Sequence, residues 1–367
     1  MNSWETAQNV DDLRRLAKAY LPKGFYQFIA RGSEGEVALH HNRQALDAVK
    51  IKPRALVDVF QRSTQVQLFG QTLSMPLMIA PTGAAGLLRY QGEAQMARAA
   101  AAAGIPYTLA MATNTPLEVV RRHSSGQLWL QLYLSPRSEI NRALLQKASK
   151  LGYDGLMLTV DTPVAPNREY NWRNGFSLPV TLNRRNALDL LGHPRWLLGV
   201  MGRYWLREGL PRFEPFERNT RAGWSTLQRL REDWAGPLVV KGIGCPEDAA
   251  LAVQAGVDGL VLSNHGARNL DSSAAPITLL AQVAAEVAGR VPILMDGAIT
   301  RGSDIFKALA MGASGVLIGR AALYGLAAGG EAGAARTLAL LHEELDRCMG
   351  YAGARTVAEI DPSRINS

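Results

Sequence analysis

His265 and Arg268 lie three positions apart in SNHGARNLD, residues 263–271. Imidazole takes up and returns protons near neutral pH. Arginine keeps its charge and can grip a carboxylate with two parallel hydrogen bonds. Gly266 between them lets the backbone turn closely. A base beside a fixed cation suits removal of a proton from a substrate that carries a carboxylate. Asp161, in LTVDTP (158–163), could orient the imidazole and stabilise its protonated form. A lone histidine is more often structural. His265 is one of six, and it alone follows directly on a strand-length apolar run.

Such residues need a scaffold that brings distant segments together. Eight short apolar runs recur: 77–81, 105–110, 128–133, 156–160, 238–242, 259–263, 292–296 and 315–319. Each has strand length, and most are unbroken, as in strands buried on both faces. Helical patterns lie between them. EAQMARAAAAAG (93–104) follows the first run, PEDAALAVQAG (246–256) the fifth and SDIFKALAMGA (303–313) the seventh. Pro246 suits a first helical turn, and Ser303 is a candidate N-cap. Eight β–α units predict an α/β protein of the (β/α)8 TIM-barrel class. An open doubly wound sheet is the alternative, but no early glycine-rich dinucleotide fingerprint supports it. An N-terminal helical segment, about 10–45, should precede the barrel of 77–330, and a C-terminal helix over 330–350 should follow it. Barrels run long as one domain, so the 367 residues are read as a single domain, 1–367.

In barrel enzymes the chemistry sits where strands end. Those ends carry Pro81 and Thr82; Gln131 and Tyr133; Thr159 and Asp161; Lys241; Ser263 and His265; Asp296 and Gly297; Gly319 and Arg320. Seven polar or glycine-bearing ends facing one mouth point to a ligand. DGAITRGSD (296–304) and GVLIGRA (315–321) follow the last two runs, where such barrels bind phosphate with glycine amides and a helix N-terminus. Lys241 reads either as a lysine snorkelling from the barrel or as a cation fixed against a cofactor or developing anion.

The net charge of +8 raises nucleic acid or an anionic membrane as partners. Residues 177–222 hold eight Arg against four acids, half of that charge, and the rest is nearly balanced. No nucleic-acid face is expected. No metal site is expected either: Cys245 and Cys348 lack zinc spacing, and a reducing compartment is implied. The first 25 residues lack the apolar core of a signal peptide, and no apolar stretch is long enough to span a bilayer. A cytoplasmic protein is expected.

Together SNHGARNLD, LTVDTP, LVVKGI (238–243), QLY (131–133) and DGAITRGSDIFKALAMGA (296–313) closely resemble the FMN-dependent L-2-hydroxy-acid oxidase and dehydrogenase family. The likeness runs from LPKGFYQFIARGSEGE (21–36) to the C-terminal helix. NREYNWRNGF (167–176), HPRW (193–196) and GRAALYGLAAGGEAG (319–333) look most like its membrane-associated mandelate and lactate dehydrogenase branch. The resemblance implies FMN across the mouth of the barrel. Pro81, Thr82, Gly83, Gln131, Thr159 and Ser263 would meet the flavin, and Lys241 would stabilise its anionic reduced ring near N1. Asp296, Gly297, Ala298, Gly319 and Arg320 would hold the phosphate. His265 would be the base, with Asp161 behind it. Arg268 would clamp the substrate carboxylate, supported by Arg168 and Tyr133. The hydroxy acid would become a 2-keto acid, with His265 as base whether the route is α-proton abstraction or hydride transfer. A homotetramer is also implied.

Three positions depart from the family pattern. Phe28 stands where a tyrosine usually contacts the substrate carboxylate, Ala110 where a serine is frequent, and Thr300 where an arginine often touches the phosphate, although Arg301 follows directly. Phe28 should either lower activity on simple 2-hydroxy acids or mark a different substrate shape, unless Arg268 and Arg168 suffice. A lost hydrogen bond to a charged group is worth about 1.5–3 kcal/mol.

The fourth gap is long: 82 residues separate the starts of LMLTV and LVVKG. Within it Trp196, Leu197, Leu198, Val200, Met201, Tyr204, Trp205 and Phe213 interleave with Arg195, Arg203, Arg207 and Arg212. Aromatics and leucines mixed with cations suit a lipid interface; a lid or an oligomer contact is the alternative. The expected protein is therefore peripheral on the inner face of the cytoplasmic membrane, docked through 177–215, and passes electrons to quinone. An oxidase using O2, and an FMN-binding barrel with another substrate or no turnover, are the rival readings.

Overall fold

A computed structural model describes residues 3–177, 181, 183–209 and 217–366. Eight parallel strands close into a barrel in chain order: β1 Leu77–Ile79, β2 Tyr107–Ala110, β3 Leu128–Leu132, β4 Gly155–Thr159, β5 Leu238–Ile243, β6 Gly259–Leu262, β7 Ile293–Met295 and β8 Gly315–Ile318. Closure comes from β8 on β1, with Val316 opposite Leu77 and Ile318 opposite Ile79. Every strand lies within two residues of its predicted run. The TIM barrel is therefore the observed fold.

Inward side chains fill the barrel, so it is a packed core rather than a pore. Met78, Trp129, Met157, Val239, Val261, Leu294 and Leu317 make that inner cluster, joined by Leu68 and Leu73 from a hairpin before β1. Phe69 at the hairpin tip packs on Trp129, ring centroids 4.9 Å apart. A Cβ on Gly259, the first residue of β6, would strike Phe69. The hairpin thus stoppers the N-terminal end, and room for a ligand remains at the C-terminal mouth.

Three helices precede the barrel: α1 Val10–Tyr20, α2 Lys23–Ala30 and α3 Val37–Ala48. Asn9 caps α1 by accepting from the Asp12 amide, and Asp11 and Asp12 suit its positive N-terminal end. The expected segment of 10–45 is thus three helices reaching residue 48. Pro246 opens its helix as predicted. Ser303 does not cap its own. That helix starts at Gly302, and Asp304 instead accepts from the amides of Thr300 and Arg301 at 3.0 Å each. A carboxylate is the stronger partner for a helix N-terminus.

The C-terminal helix is longer than expected. It runs from Arg320 to Ala352 across a kink at Gly329 and Gly330, so its first part is the eighth barrel helix. Gly330 has φ +64°, a left-handed conformation that glycine adopts without penalty. Arg89 donates to the carbonyls of Leu326, Ala327 and Ala328, covering the C-terminal end before the kink.

The insertion after β4 holds short helices at Glu169–Arg173 and Ala187–Leu191 and a rod over Pro194–Arg207 whose centre, Leu197–Gly202, has π geometry. Trp196, Val200 and Tyr204, spaced four apart, are buried. Trp196 stacks on Phe25 of α2 at 4.5 Å, and its indole donates to the Leu87 carbonyl at 2.8 Å. Those three were expected at a lipid face; they anchor the rod to the protein instead. Leu198, Trp205 and Leu206 on the other side are 70–76% exposed. Arg212 and Phe213 lie outside the described residues.

Candidate active site at the barrel mouth

The loop after β6 is wound unusually. His265, Gly266 and Ala267 have φ of +56°, +61° and +60°. Two of the three are not glycine, and such strain concentrates where function needs a fixed side chain. The loop is held from several sides. The Ser263 hydroxyl accepts from the His265 amide at 2.9 Å. Asn264 and Asn42 of α3 exchange amide hydrogen bonds at 2.8 and 2.9 Å. The Ser33 amide donates to the Ala267 carbonyl at 3.0 Å, and Asp271 accepts from the Ala38 amide at 3.1 Å. Gly32 is required here, since a Cβ would come within 2.8 Å of the Ala267 carbonyl oxygen. The N-terminal helices thus clamp the histidine loop. Sequence reading missed Ser33, Asn42, Asn264 and Asp271, because bonds spanning more than 200 residues leave no local pattern.

The His265 Nδ1 lies 2.9 Å from Asp161 Oδ1. Burial pushes the Asp161 pKa up, but the His265 contact and the Lys241 charge outweigh it and hold the carboxyl below its usual value. The carboxylate therefore accepts, Nδ1 donates, and Nε2 is left as the basic nitrogen. This pairing stabilises the fold above the usual carboxylate range and is lost as pH falls through the depressed pKa.

Lys241 is buried, so it does not snorkel. Its Nζ donates to Ser263 Oγ and lies 2.9 Å from Asp296 Oδ2. Burial lowers the lysine pKa, but the charges of Asp296 and Asp161 raise it further, so the net direction is up. One oxygen of Asp296 is thus committed to Lys241 rather than to a phosphate. Gly297 (φ +105°) and Ala298 (φ +59°) continue the turn, and Gly319 precedes the helix that starts at Arg320. The Arg320 side chain reaches the other way: it donates to the carbonyls of Ile29 and Arg31 at 3.0 and 3.2 Å. Arg301 does not substitute for the arginine absent at Thr300, because it pairs with Glu344 at 2.8 Å.

Arg268, Arg168 and Arg320 gather beside this loop. Arg268 donates to the carbonyls of Phe28 and Arg31 at 2.6 and 3.1 Å. Arg168 donates to the Arg268 carbonyl at 3.3 Å. Phe28 lies under both guanidiniums, 5.0 Å from that of Arg268 and 5.8 Å from that of Arg168, and packs on Phe176. Burial, then repulsion from Arg168 and Arg320, push the Arg268 pKa well down. No carboxylate pairs with any of the three among the described residues. Three half-buried cations crowded together without an acid partner leave this cluster able to receive an anion. Tyr133 follows directly on β3, and burial and then the Asp161 charge push its pKa up.

Among the described residues, Thr82 Oγ1, Gln131 Nε2, Thr159 Oγ1 and Asp296 Oδ1 belong to the buried side-chain atoms at the mouth that have no hydrogen-bond partner. They come from the ends of β1, β3, β4 and β7. Each orphan costs about 1–3 kcal/mol, so their convergence calls for a polar ligand. The profile described as FMN-dependent dehydrogenase matches residues 17–367. The chain belongs to the FMN-dependent dehydrogenase family. Among relatives of this family, (S)-mandelate dehydrogenase of Pseudomonas putida is 39% identical, over 98% of this chain and 94% of that one. Glycolate oxidase 3 of Oryza sativa subsp. indica is 38% identical, over 98% and 96%. The crystal structure of the monotopic membrane protein (S)-mandelate dehydrogenase superposes with a TM-score of 0.93 at 38% identity, covering 98% of this chain and 99% of that one. As a member of the FMN-dependent dehydrogenase family, the protein is an FMN-dependent dehydrogenase or oxidase of 2-hydroxy acids.

The four orphaned atoms fit a flavin, whose ring edge carries both donors and acceptors. Thr159→Val tests this fit. The variant removes a buried unsatisfied hydroxyl, so the apoprotein should melt at a higher temperature. FMN affinity should fall about 2- to 13-fold, the worth of one hydrogen bond of 0.5–1.5 kcal/mol. Fluorescence titration with FMN and thermal melts of apoprotein check both signs.

Proposed function

We propose that the protein oxidises an L-2-hydroxy acid, mandelate- or lactate-like, to the 2-keto acid and delivers the electrons to quinone at a membrane surface. The observation that carries the first part is the His265–Asp161 pair beside three arginines with no acid partner among the described residues. Arg268 and Arg168 hold the substrate carboxylate, with Tyr133 beside them. This places the 2-carbon and its hydroxyl towards His265 Nε2. His265 takes one proton from the substrate, and Asp161 stabilises the imidazolium that results. FMN, when bound, would supply the acceptor for the two electrons and the second hydrogen, so that two electrons and two protons leave the hydroxy acid in all. Pro81, Thr82, Gly83, Gln131, Thr159 and Ser263 line its place. Lys241, held by Asp296 and Ser263, supplies a fixed positive charge there. The amides around Gly297, Ala298, Gly319 and Arg320 serve its phosphate.

The membrane part rests on the rod over Pro194–Arg207. Its inward face is anchored, while Leu198, Trp205 and Leu206 stand exposed beside Arg195, Arg203 and Arg207. No described helix is long and apolar enough to cross a membrane, so contact would be at one leaflet, and we place it on the inner face of the cytoplasmic membrane. Deleting 177–215 would strip Trp196 from Phe25 and unroof the core, so a gentler test is required. Changing Leu198, Trp205 and Leu206 to Ser removes about 1.5–3 kcal/mol of burial per site. The holoenzyme should then stop sedimenting with phosphatidylglycerol-containing vesicles while retaining FMN. Unchanged sedimentation would refute this contact. An anaerobic dye-reduction assay beside a hydrogen peroxide assay separates quinone-type transfer from the oxidase reading.

A further inference from the structure

Tyr170 takes no part in the chemistry assigned so far. It sits in the short helix Glu169–Arg173, two residues after Arg168, and is only 5% exposed. Its hydroxyl is buried and has no hydrogen-bond partner among the described residues. The group lies among cations. The Arg31 guanidinium is 5.3 Å above its ring, and the same residue's carbonyl accepts from Arg268. Arg268 in turn offers its own carbonyl to Arg168, so Tyr170 packs on a chain of three linked cations. Guanidiniums donate and cannot accept. The phenol therefore has a proton to give and neighbours that cannot take it. A carboxylate arriving between Arg168 and Arg268 is an acceptor of the right charge. Phe28, under the same two guanidiniums, has no hydroxyl to offer.

We propose that Tyr170 donates its phenolic hydrogen to the substrate carboxylate, as a third partner beside Arg168 and Arg268, and so replaces the hydroxyl absent at Phe28. The inference rests on the 2-hydroxy-acid reading and specifies how this chain recognises that substrate class. It also explains how position 28 can be phenylalanine: the ring supports both cations, while the hydrogen bond comes from a different element.

The test uses holoenzyme and two readouts. The first is the dissociation constant of the non-oxidised keto acids benzoylformate and pyruvate, followed by the flavin absorbance change. The second is steady-state kinetics with L-mandelate and L-lactate. Tyr170→Phe should weaken keto-acid binding about tenfold or more, the value of one hydrogen bond to a charged group. Adding Phe28→Tyr to that variant should restore most of the loss, whereas Phe28→Tyr alone should change binding less than threefold. Such non-additivity is what two donors serving one acceptor produce. Equal keto-acid affinity in wild type and Tyr170→Phe would overturn the proposal and leave the hydroxy-acid reading standing. Weakened binding that Phe28→Tyr does not restore would also overturn it, because the loss would then come from packing. If wild-type holoenzyme bound neither keto acid and oxidised neither hydroxy acid, the parent reading would fall and the inference with it.

Discussion

His265→Asn lowers kcat by about 10²–10⁴-fold, the usual contribution of a positioned acid–base group, and leaves FMN in place. Asparagine is the informative substitution because residue 265 has φ +56°. Asn tolerates left-handed backbone better than most residues, so the loop that delivers Ser263 and Arg268 should hold its course. The amide can still meet Asp161 but cannot take a proton. Stopped-flow reduction with L-mandelate isolates the step, and the flavin spectrum reports whether the cofactor site survived. A loss below tenfold would mean that another group accepts the proton.

Arg268→Lys lowers kcat/KM by about 10–100-fold, although the charge is kept. The ammonium has no planar fork, so one charge-assisted bond to the carboxylate is lost, worth about 1.5–3 kcal/mol. Arg268 also joins the mouth to the end of α2 through the Phe28 and Arg31 carbonyls. A lysine can satisfy only part of that set, so the apoprotein should melt at a lower temperature as well. Uncharged substrate analogues separate the two effects. Mandelamide should react almost equally with wild type and Arg268→Lys, whereas mandelate should not. Equal losses on both would assign Arg268 a purely structural role.

Much of this fold is legible in the sequence because strands buried on both faces cannot hide their apolar runs. All eight appear at the predicted places, and His265, Lys241 and Asp161 fall at their ends. The membership in the FMN-dependent dehydrogenase family agrees with the resemblance read from SNHGARNLD and its companions. Long-range partners were the illegible part. Arg301 looked available to a phosphate until Glu344, 43 residues on, claimed it. Ser303 has the right side chain for a cap, but the helix starts one residue before it, and the Asp304 carboxylate accepts from the Thr300 and Arg301 amides that lead in. Trp196, Val200 and Tyr204 share composition with Leu198, Trp205 and Leu206, and only packing decides which face the protein keeps. Tyr170 gave no signal in one dimension beyond standing two residues after Arg168. Its orphaned hydroxyl becomes visible only when α2, the Glu169–Arg173 helix and the histidine loop are brought together.

The central claim is that this mouth removes two electrons from an L-2-hydroxy acid onto FMN. Anaerobic mixing of the yellow holoenzyme with L-mandelate, L-lactate and longer L-2-hydroxy acids, each beside its D enantiomer, tests it most directly. The flavin absorbance should bleach with at least one L acid, with formation of one keto acid per FMN, and stay unchanged with the D forms. No bleaching by any L-2-hydroxy acid would contradict the account.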